Sequence, residues 1–328
     1  IPFCDTVCYY CGCNKIVTKN REKAATYLGY LKREIEMQGK LFAGVNQVEQ
    51  LHFGGGTPTY HDIAELRALW RKIGEHFELA HDGDYSIEGD PRTLDEGMVA
   101  ALREMGFNRV SLGVQDFDPR VQDIVNRLQS EEQVRTVTED ARALGFRSVN
   151  FDLIYGLPYQ TAEDLRRTVE QCVEMKPDRV ALFGYAHVPW VAKNQRMIPD
   201  DSLPKPELRA EQADAAGEAL VKGGYVRIGI DHFALPEDSL AIAAKTGELH
   251  RNFQGYTADA AQTLIGIGAT SIGRTPSGYV QNIVETGAWA RAVAAGNLVI
   301  DGSTLQYVGT TATSTTRGFT IGAPAQAS

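Results

Sequence analysis

The 328 residues are 43% hydrophobic, 23% charged and 9% aromatic, enough for a self-sufficient core in one large or two medium domains, which excludes wholesale disorder. Lys and Arg number 33 against 42 Asp and Glu, so a net charge of −9 leaves no wide basic field for nucleic acid or an anionic membrane as the main partner. No apolar run approaches the ~20 residues of a membrane-spanning helix, and no signal-like segment opens the chain.

Ile1 rather than Met stands first, and the natural start is expected to lie upstream. Cys4, Cys8, Cys11 and Cys13 crowd the opening segment, while Cys172 stands alone. A disulfide framework would spread its cysteines through the chain, so clustered thiols predict a metal site in a reducing cytoplasm. Strands are predicted at 48–53, 84–88, 109–114, 148–154 and 179–185, each short and rich in β-branched or aromatic residues. Helices are predicted between them. One starts from a Thr93…Glu96 capping box, carries Leu94, Met98 and Leu102, and stops at Gly106; another starts from Ser130…Gln133 and stops at Gly145; a third starts from Thr161…Asp164 and carries Leu165, Val169, Cys172 and Val173. Further on, 203–220 is predicted helical, beginning near Lys205 after Pro204, and a short strand follows Gly223-Gly224-Tyr225.

Repeated strand–helix units specify a parallel sheet. Gly54-Gly55-Gly56, Glu88, Gln115, Asp152 and Tyr185-Ala186-His187 all fall at C-terminal strand ends. Those ends converge on one mouth in a barrel, where such folds keep their active sites. The expected fold class is therefore α/β, a partial TIM-like (β/α)6 barrel with a parallel sheet, one strand of which lies before Ile1. Three segments are expected: a core over 1–200, an extension over 201–300 with one helix and the GIDHFA and HRNFQGY phrases, and a Thr/Gly/Ala-rich tail over 301–328 with no assigned element.

The cysteine spacing is Cys4-x3-Cys8-x2-Cys11, with Cys13 two residues beyond. Three thiolates on one loop can hold three irons of a cubane cluster and leave the fourth open; four sulfurs can instead hold a structural zinc. The thiols alone do not separate the two. Zinc sites usually pair two separated knuckles, so Cys13 is read as a neighbour rather than a ligand.

The phrase IPFCDTVCYYCGC resembles the cluster loop of the radical S-adenosylmethionine (SAM) superfamily. Together with NKIVT, LHFGGGTPT, SIEGDPR, RVSLGVQDF, FDLIYGLP, GIDHFA and LHRNFQGYT, it resembles the family of oxygen-independent coproporphyrinogen III oxidases, also called dehydrogenases, from Ile1 to about Ile272. The resemblance implies an iron-dependent oxidoreductase of porphyrin and haem biosynthesis. It implies one 4Fe-4S cluster held by Cys4, Cys8 and Cys11, its fourth iron open to SAM, and two SAM molecules in all. It implies that a deoxyadenosyl radical takes hydrogen from a propionate of coproporphyrinogen III, which then loses carbon dioxide and an electron to become a vinyl group. By the same likeness Gly55, Gly56, Thr57, Glu88, Ala186 and Ile272 would touch the first SAM, and Tyr10, Gln115, Arg127 and Asp152 the second. Gln254 is a candidate for substrate or SAM contact, no residue having a firm catalytic assignment.

Lys15, Arg127 and Arg251 are candidate cations for a tetracarboxylate substrate. His52 is expected to be packed or hydrogen-bonded, and His61, His76 and His81 to lie on the surface. Cys172 is expected to be a buried small hydrophobe. An unidentified electron donor, a cytoplasmic location and a monomer complete the expectation, with no membrane span and no nucleic acid. Two rival readings are a related haem-chaperone branch, disfavoured by Cys13 and the NKIVT phrase, and a zinc-stabilised TIM-like protein without redox chemistry. The family has a Tyr and a His just before Ile1 and a helical C-terminal domain, and the Thr-rich segment from Asp301 does not resemble that domain, so truncation or replacement is expected there.

Overall fold

The structure is a computed structural model that describes residues 1–44, 46–253 and 255–298, with the backbone of two short strands at 313–315 and 319–321. In chain order the elements are β1 (Phe3–Cys4), β2 (Ile16–Val17), α1 (Arg21–Leu41), β3 (Gln47–Phe53), α2 (Ile63–Gly74), β4 (Glu78–Gly89), α3 (Glu96–Met105), β5 (Arg109–Gln115), α4 (Pro119–Ile124), α5 (Glu131–Ala143), β6 (Ser148–Tyr155), α6 (Ala162–Met175), β7 (Arg179–Gly184), α7 (Pro206–Lys222), β8 (Val226–Ile228), β9 (His232–Ala234), α8 (Ser239–Thr246), β10 (His250–Asn252), β11 (Gly255–Thr257), β12 (Ile272–Thr275), β13 (Gly278–Gln281), α9 (Thr286–Ala294), β14 (Thr313–Thr315) and β15 (Phe319–Ile321). The chain divides into two compact units, each assembled from three separated segments: 1–19, 50–63 and 84–258 form the first, and 20–49, 64–83 and 259–328 the second. The expectation of an elementless tail falls on 301–328, which lies outside the described residues except for the backbone of β14 and β15.

The first unit is built on a sheet of order β3-β4-β5-β6-β7-β9-β8. From β4 to β7 neighbouring strands run parallel, Val110 opposite Val149 and Phe151 opposite Val180, whereas β9 and β8 join antiparallel. Strict alternation explains the local structure. In β5 Val110, Leu112 and Val114 are buried while Arg109, Ser111, Gly113 and Gln115 are half-buried. A central strand of an open doubly wound sheet is covered on both faces and reads apolar throughout. Here one face packs on helices and the other is polar, as a barrel-like interior that receives a ligand requires. Phe151, Leu153, Leu165 and Val169 are fully buried in the helix-side layer, where truncating Phe151 to Ala would cost about 3–5 kcal/mol.

Both capping boxes expected at Ser130–Gln133 and Thr161–Asp164 are present. The box expected at Thr93 is not: Asp95 caps α3, accepting from the Met98 N–H at 2.8 Å, and the Thr93 hydroxyl donates instead to the Asp90 carbonyl. Asp95 stands directly before the first helical residue, Glu96, and its carboxylate is among the preferred caps, so the helix starts there. Gly106 closes that helix with φ 116, a left-handed turn that a side chain rarely tolerates.

In the second unit the buried face of α1 carries Ala24, Tyr27, Leu28, Leu31, Glu34 and Ile35. The Trp289 ring of α9 lies 4.7 Å from the Tyr27 ring, tilted 37° to it. Glu34 accepts from Gly268 N–H, the Asn282 amide and the Trp289 indole at 2.7, 2.7 and 3.2 Å. Burial dominates even so, pushing its pKa up to about 7. Ile272 begins the β12–β13 hairpin of this unit, opposite Gln281.

Candidate functional site

The cysteine loop is closed by β1 and β2, which pair in parallel with Cys4 opposite Val17. Its interior backbone is pinned from far along the chain. The Tyr9 N–H donates to the Val125 carbonyl at 2.9 Å, and the Asn126 amide to the Val7 carbonyl at 2.7 Å. The Asn194 amide donates to the carbonyls of Cys8, Tyr9 and Cys11, and Gln195 donates to Tyr10 at 2.7 Å. None of Asn126, Asn194 and Gln195 was legible in the sequence, since an isolated amide in a connection carries no periodic signal.

Each sulfur has its own surroundings. Cys4 Sγ lies 3.6 Å from the Thr57 hydroxyl, and burial pushes its pKa up. Cys8 Sγ accepts from Arg127 Nη1 at 3.5 Å and from Arg92 Nη2 at 3.9 Å. The Cys11 thiol is pushed down to about 6, chiefly by its hydrogen bond with Cys13, with burial opposing; Cys13 is pushed up by the same bond. Cys13 is the exposed member of the four. Among the described residues no three His, Cys, Asp or Glu side chains are grouped about a point that one metal ion would occupy. A cubane cluster gives each of three thiolates its own iron.

The strand ends form the rest of the site. Gly56 N–H donates to the Ile1 carbonyl and Thr57 N–H to the Phe3 carbonyl, at 2.9 and 2.8 Å. A Cβ on Gly56 would lie 2.8 Å from the Pro2 carbonyl, and one on Gly55 2.9 Å from that of Ile1. Glycine is thus demanded here by close packing on the β1 backbone, whatever ligand the loop also meets. Glu88 accepts from the Gly55 N–H at 3.0 Å and contacts His52 Nε2 at 3.3 Å. Burial works against its charge, but those hydrogen bonds hold its pKa below the usual carboxylate value. His52 is hydrogen-bonded as expected, with Ser86 at its other nitrogen, yet it is exposed rather than packed in the core.

Asp152 takes a hydrogen bond of 3.2 Å from Ser111 on the same face of the sheet. Burial first and the Glu88 charge second push it up to about 7. Gln115 has φ 66, and the Asp116 N–H donates to the Val114 carbonyl across it at 2.9 Å. That is a γ-turn of the strained, positive-φ kind, placed where β5 slips register against β6.

Arg127 is buried and engaged: beyond Cys8, it donates to Asp90 at 3.2 Å and to the Gly113 carbonyl at 2.6 Å, leaving Nε without a partner among the described residues. Asp90 and Arg92, both missed in the sequence, sit beside it in the SIEGDPR phrase, where the adjoining proline suggests only a turn. The Tyr10 ring packs with Val121, Val125, Leu157, Tyr185 and Ile198, and exposed Ala186 accepts from Gln195 at 3.0 Å. Gln254 lies outside the described residues. The candidate substrate cations have separate partners: Lys15 donates to the Cys11 carbonyl at 2.7 Å, and Arg251 lies over the Tyr256 ring.

Residues 1–172, more than half of the chain, match the family model of the radical SAM superfamily. The chain belongs to that superfamily. It is 48% identical over 302 residues to the oxygen-independent coproporphyrinogen III oxidase of Pseudomonas aeruginosa, covering 92% of this chain and 66% of that protein. To the enzyme of the same name from Escherichia coli it is 46% identical over 285 residues, covering 87% and 62%. The solved structure of coproporphyrinogen III oxidase (HemN) from Escherichia coli, described as a radical SAM enzyme, matches with a TM-score of 0.89 and 44% identity, covering 92% of this chain and 69% of that one. The chain thus spans 62–66% of the length of these curated relatives.

The superfamily implies a 4Fe-4S cluster and SAM, and the donor set fits. Two buried or half-buried guanidiniums face Cys8 with one carboxylate between them, a positive surplus that an anionic thiolate–cluster assembly neutralises. The expected histidine positions are mixed: His81 is exposed, but His61 is fully buried, edge-on to the rings of Phe3 and Tyr60, and His76 is half-buried. Packing of the loop after Gly56 onto β1 draws His61 inward, which its polar neighbours Thr59 and Asp62 conceal in the sequence. Cys172 is fully buried as expected.

Proposed function

We propose that this chain carries the radical-generating part of an oxygen-independent coproporphyrinogen III oxidase, which converts two propionate side chains of coproporphyrinogen III to vinyl groups and gives protoporphyrinogen IX. The observation that carries the reading is the single loop of Cys4, Cys8 and Cys11, pinned against the C-terminal strand ends by Asn194 and Gln195, in a chain 48% identical to an enzyme of that name. When bound, the cluster and SAM supply a primary carbon radical able to take hydrogen from an unactivated position. The remaining work belongs to the protein. Cys4, Cys8 and Cys11 hold three irons. Gly55, Gly56, Thr57, Glu88 and Ala186 border the first SAM, where Glu88, held ionised, accepts from ammonium or hydroxyl donors.

Tyr10, Gln115, Arg127 and Asp152 border a second SAM. Arg127 engages three of its five N–H groups with Cys8, Asp90 and Gly113, so Nε–H and one hydrogen of Nη2 remain for it. Each propionate gives up one hydrogen atom, carbon dioxide and one electron, so a one-electron acceptor takes part beside the electron donor that reduces the cluster. A cytoplasmic location suits four clustered thiols that must stay reduced, and the chain is taken to act as a monomer. Among the described residues no helix is long and apolar enough to cross a membrane.

The test is anaerobic reconstitution of the full chain with iron and sulfide, followed by SAM cleavage and product analysis with coproporphyrinogen III. Iron and sulfide in equal amounts, SAM cleavage and protoporphyrinogen support the reading. Zinc without sulfide, or SAM cleavage that never yields the porphyrinogen, sinks it.

A further inference from the structure

Asp90 lies just beyond the end of β4, buried, and gathers two arginines. Arg92 donates to it through Nε at 2.9 and 3.1 Å and through Nη2 at 2.6 Å, a two-pronged clamp; Arg127 donates through Nη1 at 3.2 Å. The same Arg92 Nη2 and Arg127 Nη1 also reach the Cys8 sulfur, at 3.9 and 3.5 Å. Among the described residues Asp90 is the one carboxylate that pairs with either guanidinium. One of the two positive charges is therefore not cancelled by a carboxylate, and it is aimed at a single thiol. Both side chains are largely removed from water, at 21% and 8% exposure, so screening is weak. Among the described residues no guanidinium is hydrogen-bonded to the sulfur of Cys4 or Cys11, so the arrangement serves one corner of the loop.

We propose that Asp90 is a positioning residue that aims Arg92 and Arg127 at the Cys8 sulfur, and that these two N–H···S contacts raise the reduction potential of the cluster held there. The reason is electrostatic. Adding an electron makes the cluster and its thiolates more negative, and donors or cations at a sulfur stabilise the reduced form more than the oxidised one. The site would then accept electrons from a weaker low-potential donor than the same loop without the pair.

The proposal rests on the reading of Cys8 as an iron ligand, and the two are tested separately. Cys8→Ala is expected to lose iron and sulfide; a full complement in that variant sinks the ligand reading alone. For the proposal, the full chain is reconstituted anaerobically as wild type, Arg92→Gln, Arg92→Lys and Asp90→Glu, analysed for iron and sulfide, and titrated against potential by electron paramagnetic resonance without SAM. Arg92→Gln is expected to keep its iron and shift the midpoint to more negative potential, with Arg92→Lys between it and wild type. Asp90→Glu leaves the net charge unchanged but displaces the clamp, so a negative shift there reports aim rather than charge. An unchanged midpoint in Arg92→Gln or Asp90→Glu with full iron overturns the proposal. If Arg92→Gln holds no cluster, Arg92→Lys is read in its place, and loss of iron from both also overturns it, because the guanidinium would then serve the fold.

Discussion

The side-chain amide of Asn194 donates to the carbonyl of Cys11 across 3.0 Å, although 183 residues separate them in the chain. The same amide also serves Cys8 and Tyr9, so one half-buried side chain fixes the turn on which two of the three thiols stand. Asn194→Ala takes a donor from all three carbonyls; those of Cys8 and Cys11 keep the Cys11 N–H and Lys15 Nζ, the Tyr9 carbonyl loses its partner, and a cost of about 1–3 kcal/mol is expected. The check is the rate at which a chelator strips iron from the reconstituted protein. Faster loss than in wild type is expected, and an unchanged rate would show that Gln195 and Asn126 suffice.

Gly56 and Gly12 offer a paired test of the close approach between loop and strand. A Cβ at Gly56 meets backbone at 2.8 Å, whereas one at Gly12 meets none of the described residues within 4 Å. Gly56→Ala therefore forces β1 and the glycine loop apart, while Gly12→Ala lies within the few tenths of a kcal/mol typical of open surface positions. Iron bound per chain after reconstitution should fall in the first variant and stay at the wild-type level in the second.

Glu34 makes the second unit pH-sensitive. Its pKa is pushed up to about 7, from an unfolded value near 4.3. Because the folded state holds the proton more tightly, its contribution to stability is greatest below the unfolded pKa and is lost as pH rises through about 7. Thermal melts of the chain should fall between pH 5 and pH 8 by an amount that Glu34→Gln abolishes. A pH slope unchanged by the substitution would contradict this account.

Asp152 should give SAM binding its own pH dependence. Burial and the Glu88 charge push it up to about 7, so it passes from neutral to ionised between pH 6 and pH 8. Where the ionised form accepts from a SAM hydroxyl or ammonium, affinity in the wild type rises with pH across that range. Asp152→Asn should flatten the profile at reduced affinity. Equilibrium binding at three pH values decides, and a variant that keeps the wild-type slope would remove Asp152 from the site.

Local features of this fold were legible because each is written in a short window. The five central strands appear within a residue or two of their expected bounds, apart from an early start of β4 at Glu78, and the Ser130 and Thr161 boxes cap α5 and α6. Thr93 misled because Asp95, equally suited to capping, stands two residues closer. His61 misled because its burial depends on β1, which is not its neighbour in sequence.

By itself the sequence determined the period-two strands, the helices between them and a loop with three thiols in metal-ligand spacing. Hydrogen-bond geometry and side-chain alternation act over a few residues, so order along the chain encodes them directly. Only the tertiary structure decided that Asp90, Arg92 and Arg127 meet at Cys8, that Asn194 grips the same loop, and that Arg127 also holds the Gly113 carbonyl. Those meetings depend on strand register and on where each connection closes over the strand ends, and their charges balance only as a set, so no single stretch of sequence records them.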